Sequence, residues 1–193
     1  MIRVGVLALQ GDFAEHIVML KRLGVTPVEV RLAEQLEGLN GLIIPGGEST
    51  TIGKLAVDFG LMEPLRAFGK SHAVWGTCAG AIFLSKDARR HQPLLSIMDI
   101  TVERNAFGRQ VDSFEADLDI EPLKQATQTS TPYHAVFIRA PIIQSVSGHA
   151  KILSALPDGR IVAAQEGKLL AISFHPELTE DLRFHEYFIS LTK

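Results

Sequence analysis

The sequence is poorest in cysteine and in long apolar runs, and it carries no excess of charge of one sign. One cysteine among 193 residues excludes an internal disulfide and any multi-cysteine zinc site. The longest apolar stretches, such as Val4-Gly5-Val6-Leu7-Ala8-Leu9, fall far short of the ~20 residues a membrane-spanning helix needs. Lys plus Arg number 19 against 22 Asp plus Glu, and no basic stripe breaks that balance. Nucleic acid and anionic membrane are therefore not expected as partners. Met1-Ile2-Arg3-Val4 runs straight into a strand-like segment without a signal-peptide layout, so a reduced, cytoplasmic setting is expected.

What is present is an ordinary globular composition, 46% hydrophobic and 21% charged. The length suits one domain over residues 1–193, built on one sizeable core.

Strand and helix alternate through the first half. Residues 3–9 read as a buried strand. Asp12 with Glu15 then resembles a capping box opening a helix through Leu23, with Phe13, Ile17 and Leu20 on one face. Strands follow over 26–32, 41–45 and 72–77. A helix starts near Ser49 or Thr50 with Ile52, Leu55, Ala56 and Phe59 on its apolar face, and another helical segment covers 79–86. This alternation predicts an α/β fold with a mostly parallel sheet covered on both faces. The second half reads as strands over 97–104, 111–118, 135–140, 161–165 and 169–174. The last two flank Glu166-Gly167-Lys168 as an added antiparallel hairpin. A final helix is expected from Thr179, and 124–131 reads as an exposed polar loop.

Gly76-Thr77-Cys78-Ala79-Gly80 sits between a strand and a helix in the form of a nucleophile elbow. The glycines admit a sharp turn that lifts the nucleophile above the strand end, where the following helix N-terminus favours a thiolate. Most free cysteines are small buried hydrophobes, and without those flanks Cys78 would be read so.

A thiol nucleophile needs a base, and the imidazole needs an orienting group. Of seven histidines, His175 alone closes an apolar strand and is followed by Pro176-Glu177. In extended backbone i and i+2 share a face, so Glu177 could hold His175 while its other nitrogen meets Cys78. The remaining histidines, His16 among them, lack such neighbours and read as solvated or structural; His185, within the last helix, is the one worth checking.

Pro45-Gly46-Gly47-Glu48-Ser49-Thr50 follows a buried strand. A Gly46 or Gly47 amide paired with the Ala79 amide could bind an oxyanion. All three motifs fall at strand C-terminal ends, where doubly wound sheets bind ligands.

Together these residues resemble the class I, triad glutamine amidotransferases. Further segments are similar to the glutaminase subunits of pyridoxal 5'-phosphate synthase. They are Leu7-Ala8-Leu9-Gln10-Gly11, Pro45 to Thr51, Val102-Glu103-Arg104-Asn105-Ala106-Phe107-Gly108-Arg109-Gln110, Phe137-Ile138-Arg139-Ala140-Pro141 and His175 to Asp181. The similarity runs nearly end to end in the right order.

The resemblance implies a flavodoxin-like three-layer α/β/α fold with Cys78, His175 and Glu177 as the triad. It implies an oxyanion hole at Gly47 and Ala79, and L-glutamine contacts from Gly46, Gly47, Glu48, Arg104, Ile138 and Arg139. It implies no metal or organic cofactor. It implies a partner, a barrel-shaped synthase subunit forming a dodecameric core, which receives the ammonia and activates an otherwise nearly idle glutaminase. Two alternatives stay open at this stage: a glutaminase serving another synthase, such as that of imidazole glycerol phosphate, and a non-catalytic or redox-sensing single-cysteine relative on the same fold.

Overall fold

The computed structural model describes residues 2–104 and 113–193. The start of the strand expected over 111–118, and the 105–110 part of the segment around Arg104, lie outside the described residues.

The first half alternates as the sequence suggests. β1 (Arg3–Leu7) leads to α1 (Phe13–Arg22), then β2 (Thr26–Val30), β3 (Gly41–Ile44), α2 (Ser49–Asp58), α3 (Met62–Gly69), β4 (Ala73–Thr77) and α4 (Ala79–Leu84). The second half is strand-rich, with β5 (Ser85–Asp87), β6 (Met98–Glu103), β7 (Ser113–Leu118), β8 (Tyr133–Ile138), β9 (Ile142–Val146), β10 (Lys151–Ala155), β11 (Ile161–Glu166) and β12 (Leu169–Ile172). Two helices interrupt it, α5 (Glu121–Thr127) and the terminal α6 (Arg183–Leu191).

The strands β2-β1-β3-β4-β12 pair in parallel in that order. This is the 2-1-3-4-5 order of flavodoxin-like sheets, whose strand order reverses between β1 and β3. The expected hairpin is β11–β12. The sheet continues from it through β9 and β6, both antiparallel to their inner neighbours, while β7 and β8 form a separate antiparallel pair.

Side-chain alternation along the strands builds two cores. Leu42, Ile44, Val74 and Ala171 face α2, α3 and α4, where Ile52, Ala56, Leu65, Phe68 and Phe83 cover them. Val4, Val6, Ile43, Trp75 and Ile172 face the opposite side, under α1, α6 and the β7–β8 pair. Phe184 and Phe188 of α6 are fully buried there, and burying each favours docking by roughly 1.5–3 kcal/mol. Helices on both faces of the sheet make the three layers.

Several local expectations are corrected. Residues 124–131 are not all loop, because α5 runs to Thr127 and ends on Gln128 in the left-handed region. The last helix begins at Arg183 rather than Thr179, since Pro176–Leu178 forms a separate 3₁₀ turn. Asp12 stands at the start of α1 but makes no side-chain cap bond. Phe59 terminates α2 exposed to solvent, beyond the buried stripe of Ile52 and Ala56.

Candidate active site

Four loops meet above the ends of β1, β3, β4 and β12. At the end of β4, Cys78 takes φ 48° and ψ −105°, a conformation that costs a non-glycine residue energy. The surrounding packing holds it there. A side chain on Gly76 would strike the backbone of Gly80 at 2.5 Å, and one on Gly80 would strike the Ile44 carbonyl at 2.0 Å. The Cys78 amide is tied to the Ile172 carbonyl at 2.8 Å. The two glycines therefore let β4 and α4 converge, and the thiol sits at their junction.

His175 follows β12, the parallel neighbour of β4, and its amide bonds the Val136 carbonyl of β8 at 2.9 Å. His175 Nδ1 lies 2.6 Å from Glu177 Oε1, and both residues are buried. The two side chains meet on the 3₁₀ turn, not on the extended backbone expected from the sequence. Proline at the first turn position suits that geometry, because its fixed φ is helical and the missing N–H has no role there.

The Gly46-Gly47 loop lies across the β1–β3 reversal from Gln10-Gly11. The Asp12 amide donates to the Gly46 carbonyl at 3.1 Å, and the Glu48 amide donates to Gln10 Oε1 at 2.6 Å. Gly11, at φ 102°, must be glycine, since an added Cβ would lie 1.7 Å from the Gly46 oxygen. A cleft of about 440 Å³ opens between these loops. Cys78, His175, Gly47 and Ala79 line it, with Glu48, Arg104, Ile138 and Arg139 around them. Gly46 stands behind the lining, where a Cβ would come within 2.7 Å of His175 Cε1. Glu177 is likewise set behind His175.

The profile of the SNO glutamine amidotransferase family matches residues 6–193. The chain belongs to the SNO glutamine amidotransferase family. A member from Herpetosiphon aurantiacus, named pyridoxal 5'-phosphate synthase subunit PdxT, is 57% identical over 97% of this chain and 99% of its own length. The subunit of the same name from Moorella thermoacetica is 54% identical over 98% of both chains. A solved structure titled as a glutamine amidotransferase superposes with a TM-score of 0.90 at 52% identity, covering 98% of each chain.

The electrostatics of this family member's cleft centre on His175. Burial works to lower its pKa, but the Cys78 thiol and the Glu177 carboxylate outweigh burial and push it up to about 10. His175 Nε2 is buried and has no hydrogen bond of good geometry among the described residues. Burial raises Glu177, and the bond to His175 pulls it partly back.

Glu48 has two tasks. It caps α2, accepting from the Thr50 amide at 3.2 Å and the Thr51 amide at 2.7 Å, and it accepts from Arg104 at 2.6 Å. Slight burial acts to raise Glu48, but the Thr51 hydroxyl and these donors bring it down to about 2. Arg139 sits at φ 42°, exposed on the rim, and forms no ion pair among the described residues.

Asp12, His175 and Glu177 offer ligand atoms within 4.8 Å of one another. The short bond already commits His175 Nδ1 and Glu177 Oε1 to each other. No helix among the described residues is long and apolar enough to cross a membrane.

Sequence reasoning missed part of this site. Gln10 and Asp12 line the cleft; the sequence marked their stretch, through the family-like segment Leu7 to Gly11 and the helix start at Asp12, but gave neither a substrate-binding role. His16 and His185 are fully buried behind Glu177. Their signal was position: His16 sits among Phe13, Ile17 and Leu20 on the apolar stripe of α1, and His185 lies between Phe184 and Phe188 on α6.

Proposed function

We propose that this chain is a glutaminase, hydrolysing L-glutamine to L-glutamate and ammonia through Cys78, His175 and Glu177. The observation that carries it is the 2.6 Å bond from His175 Nδ1 to Glu177 Oε1. It fixes the imidazole tautomer and leaves Nε2 for the thiol in the same cleft.

Cys78 Sγ attacks the side-chain amide carbon of glutamine, and the carbonyl oxygen becomes an oxyanion held by the Gly47 and Ala79 amides. The C–N bond then breaks, and the nitrogen leaves as ammonia with a proton from His175. A thioester to Cys78 remains. His175, now neutral, takes a proton from water as it attacks the thioester, releasing glutamate and restoring the thiol. Glu177 orients the ring and balances its positive charge. Every proton moved has a protein partner, so the scheme needs no metal or organic cofactor.

Arg139 suits the α-carboxylate of the substrate, because a guanidinium matches a carboxylate in shape and charge and this one forms no ion pair among the described residues. Arg104 and Glu48, joined to each other, form the facing wall with Gly46, Gly47 and Ile138. The named relatives are subunits of pyridoxal 5'-phosphate synthase. We therefore take the ammonia acceptor to be the barrel-shaped synthase subunit, a dodecameric core on which glutaminases dock in the cytoplasm. That favours this pathway over imidazole glycerol phosphate synthesis. The test is copurification with the barrel subunit followed by glutamate release from glutamine. Binding without glutamate release would remove the enzymatic reading.

A further inference from the structure

Two histidines that the proposed triad does not use stand directly behind it. His16 of α1 and His185 of α6 are both fully buried, and His16 Nδ1 lies 2.9 Å from His185 Nε2. The other nitrogen of His16, Nε2, is 3.4 Å from Glu177 Oε2 and 3.4 Å from Thr77 Oγ1, next to Cys78. Trp75 packs edge-on against both rings, which limits their rotation.

Glu177 Oε1 is taken by His175, whereas Oε2 is buried and has no well-formed hydrogen bond among the described residues. An ionised carboxylate can only accept, so His16 must carry its proton on Nε2 to serve Oε2. A neutral ring protonated at Nε2 has a bare Nδ1. His185 must then present its own Nε2–H to that atom. Burial keeps both rings neutral, lowering His16 well below the usual histidine range, with repulsion from His185 and His175 adding to it, and bringing His185 to about 3. One tautomer chain links the three histidines to the carboxylate: His185 Nε2–H to His16 Nδ1, His16 Nε2–H to Glu177 Oε2 with Thr77 Oγ1 also facing that N–H, and His175 Nδ1–H to Glu177 Oε1.

We propose that His16, itself oriented by His185, is a positioning residue that fixes the Glu177 carboxylate and so aims His175 at Cys78. The inference rests on the triad proposed above. The pair has no other evident purpose in the core. Apolar residues of similar volume would fill the space between α1, α6 and β4 without the cost of desolvating two imidazoles. The 3.4 Å contact is long, as catalytic hydrogen bonds often are before substrate binds.

The experiment uses the complex with the synthase subunit and reads glutamine hydrolysis alongside synthesis from an ammonium salt. His16→Leu is expected to lower kcat about tenfold or more, the loss of a hydrogen bond to a charged group. KM should stay within about twofold, because the cleft lining is untouched. Synthesis from ammonium should be unchanged. His16→Gln, which can still offer an N–H towards Oε2, should recover most of the rate. A His16→Leu complex with kcat near wild type, or equal loss with Leu and Gln, would overturn the proposal. Should His16→Leu not fold, ¹⁵N NMR of the native chain decides: the proposal requires His16 protonated at Nε2, and protonation at Nδ1 contradicts it. Wild-type and Cys78→Ser complexes run in parallel keep the two readings apart. A wild type that hydrolyses no glutamine refutes the glutaminase reading, whereas an active wild type with an equally active His16→Leu refutes only this inference.

Discussion

Glu48 Oε1 accepts from Arg104 at 2.6 Å while the same carboxylate caps α2 through Thr50 and Thr51. One side chain thus ties the helix after β3 to the segment after β6 across the mouth of the cleft. The parallel core and its antiparallel extension are held together at the point where substrate would enter.

Glu48→Ala should therefore cost stability as well as activity. Loss of an N-cap side chain costs about 1 kcal/mol, which for a chain of this size lowers Tm by about 2–4 °C. The pH sense follows from a folded pKa of about 2 against the usual 4.5. The stabilisation from Glu48 is fully present above 4.5 and is lost as pH falls through about 2. Because Glu48 is more than a third exposed, solvent weakens that contribution. Thermal melts of wild type and variant at pH 7 check the cap, and an undiminished Tm would count against it.

His175 gives the opposite pH sense. Its folded pKa is raised from 6.5 to about 10, so its stabilisation is complete below 6.5 and disappears as pH rises through about 10. Since Cys78 supplies part of the shift, Cys78→Ser should lower the His175 value, as read by NMR titration of the ring. An unchanged value would mean that the thiol and the imidazole do not interact.

His175→Asn separates hydrolysis from synthesis. The complex should lose glutamine-dependent formation of pyridoxal phosphate by orders of magnitude and keep formation from an ammonium salt. Equal loss with both nitrogen sources would mean that His175 supports the assembly instead of the chemistry.

Gly47 tests activation by the partner. It sits at φ 150°, and an added Cβ would approach Gln10 Oε1 to 2.4 Å. Rotating the preceding peptide breaks the bond from the Asp12 amide to the Gly46 carbonyl, a change that differential binding of a partner can drive. The isolated chain should be weakly active and its kcat should rise when the synthase binds. Gly47→Val should suppress that rise while Cys78 remains open to alkylation. Full activity of the free wild-type chain would refute gating.

β1, β3 and β4 were legible because each is a short apolar run with glycine at its turn into a helix. The elbow and His175-Pro176-Glu177 were legible because their chemistry is compressed into adjacent residues. The antiparallel part was harder. β10 alternates weakly, with Lys151 and Ile152 both exposed, so no buried face marks it. α3 carries Pro64 in its first turn, where no N–H is needed, and Gly60 just ahead of it makes the stretch look like loop. α5 hides in a run of Lys, Gln and Thr. The His16–His185 contact joins residues 169 apart, and no local spacing signals a meeting that tertiary packing alone creates.

The central claim is that Cys78 is the nucleophile of a glutaminase, and Cys78→Ser tests it most directly. Serine keeps nearly the same volume but is a far poorer nucleophile, so folding and synthase binding should survive. The measurement is glutamate released from glutamine by the purified complex, wild type against Cys78→Ser. The account predicts turnover in the wild type and a fall of several orders of magnitude in the variant. Near-normal glutamate release by Cys78→Ser would contradict it.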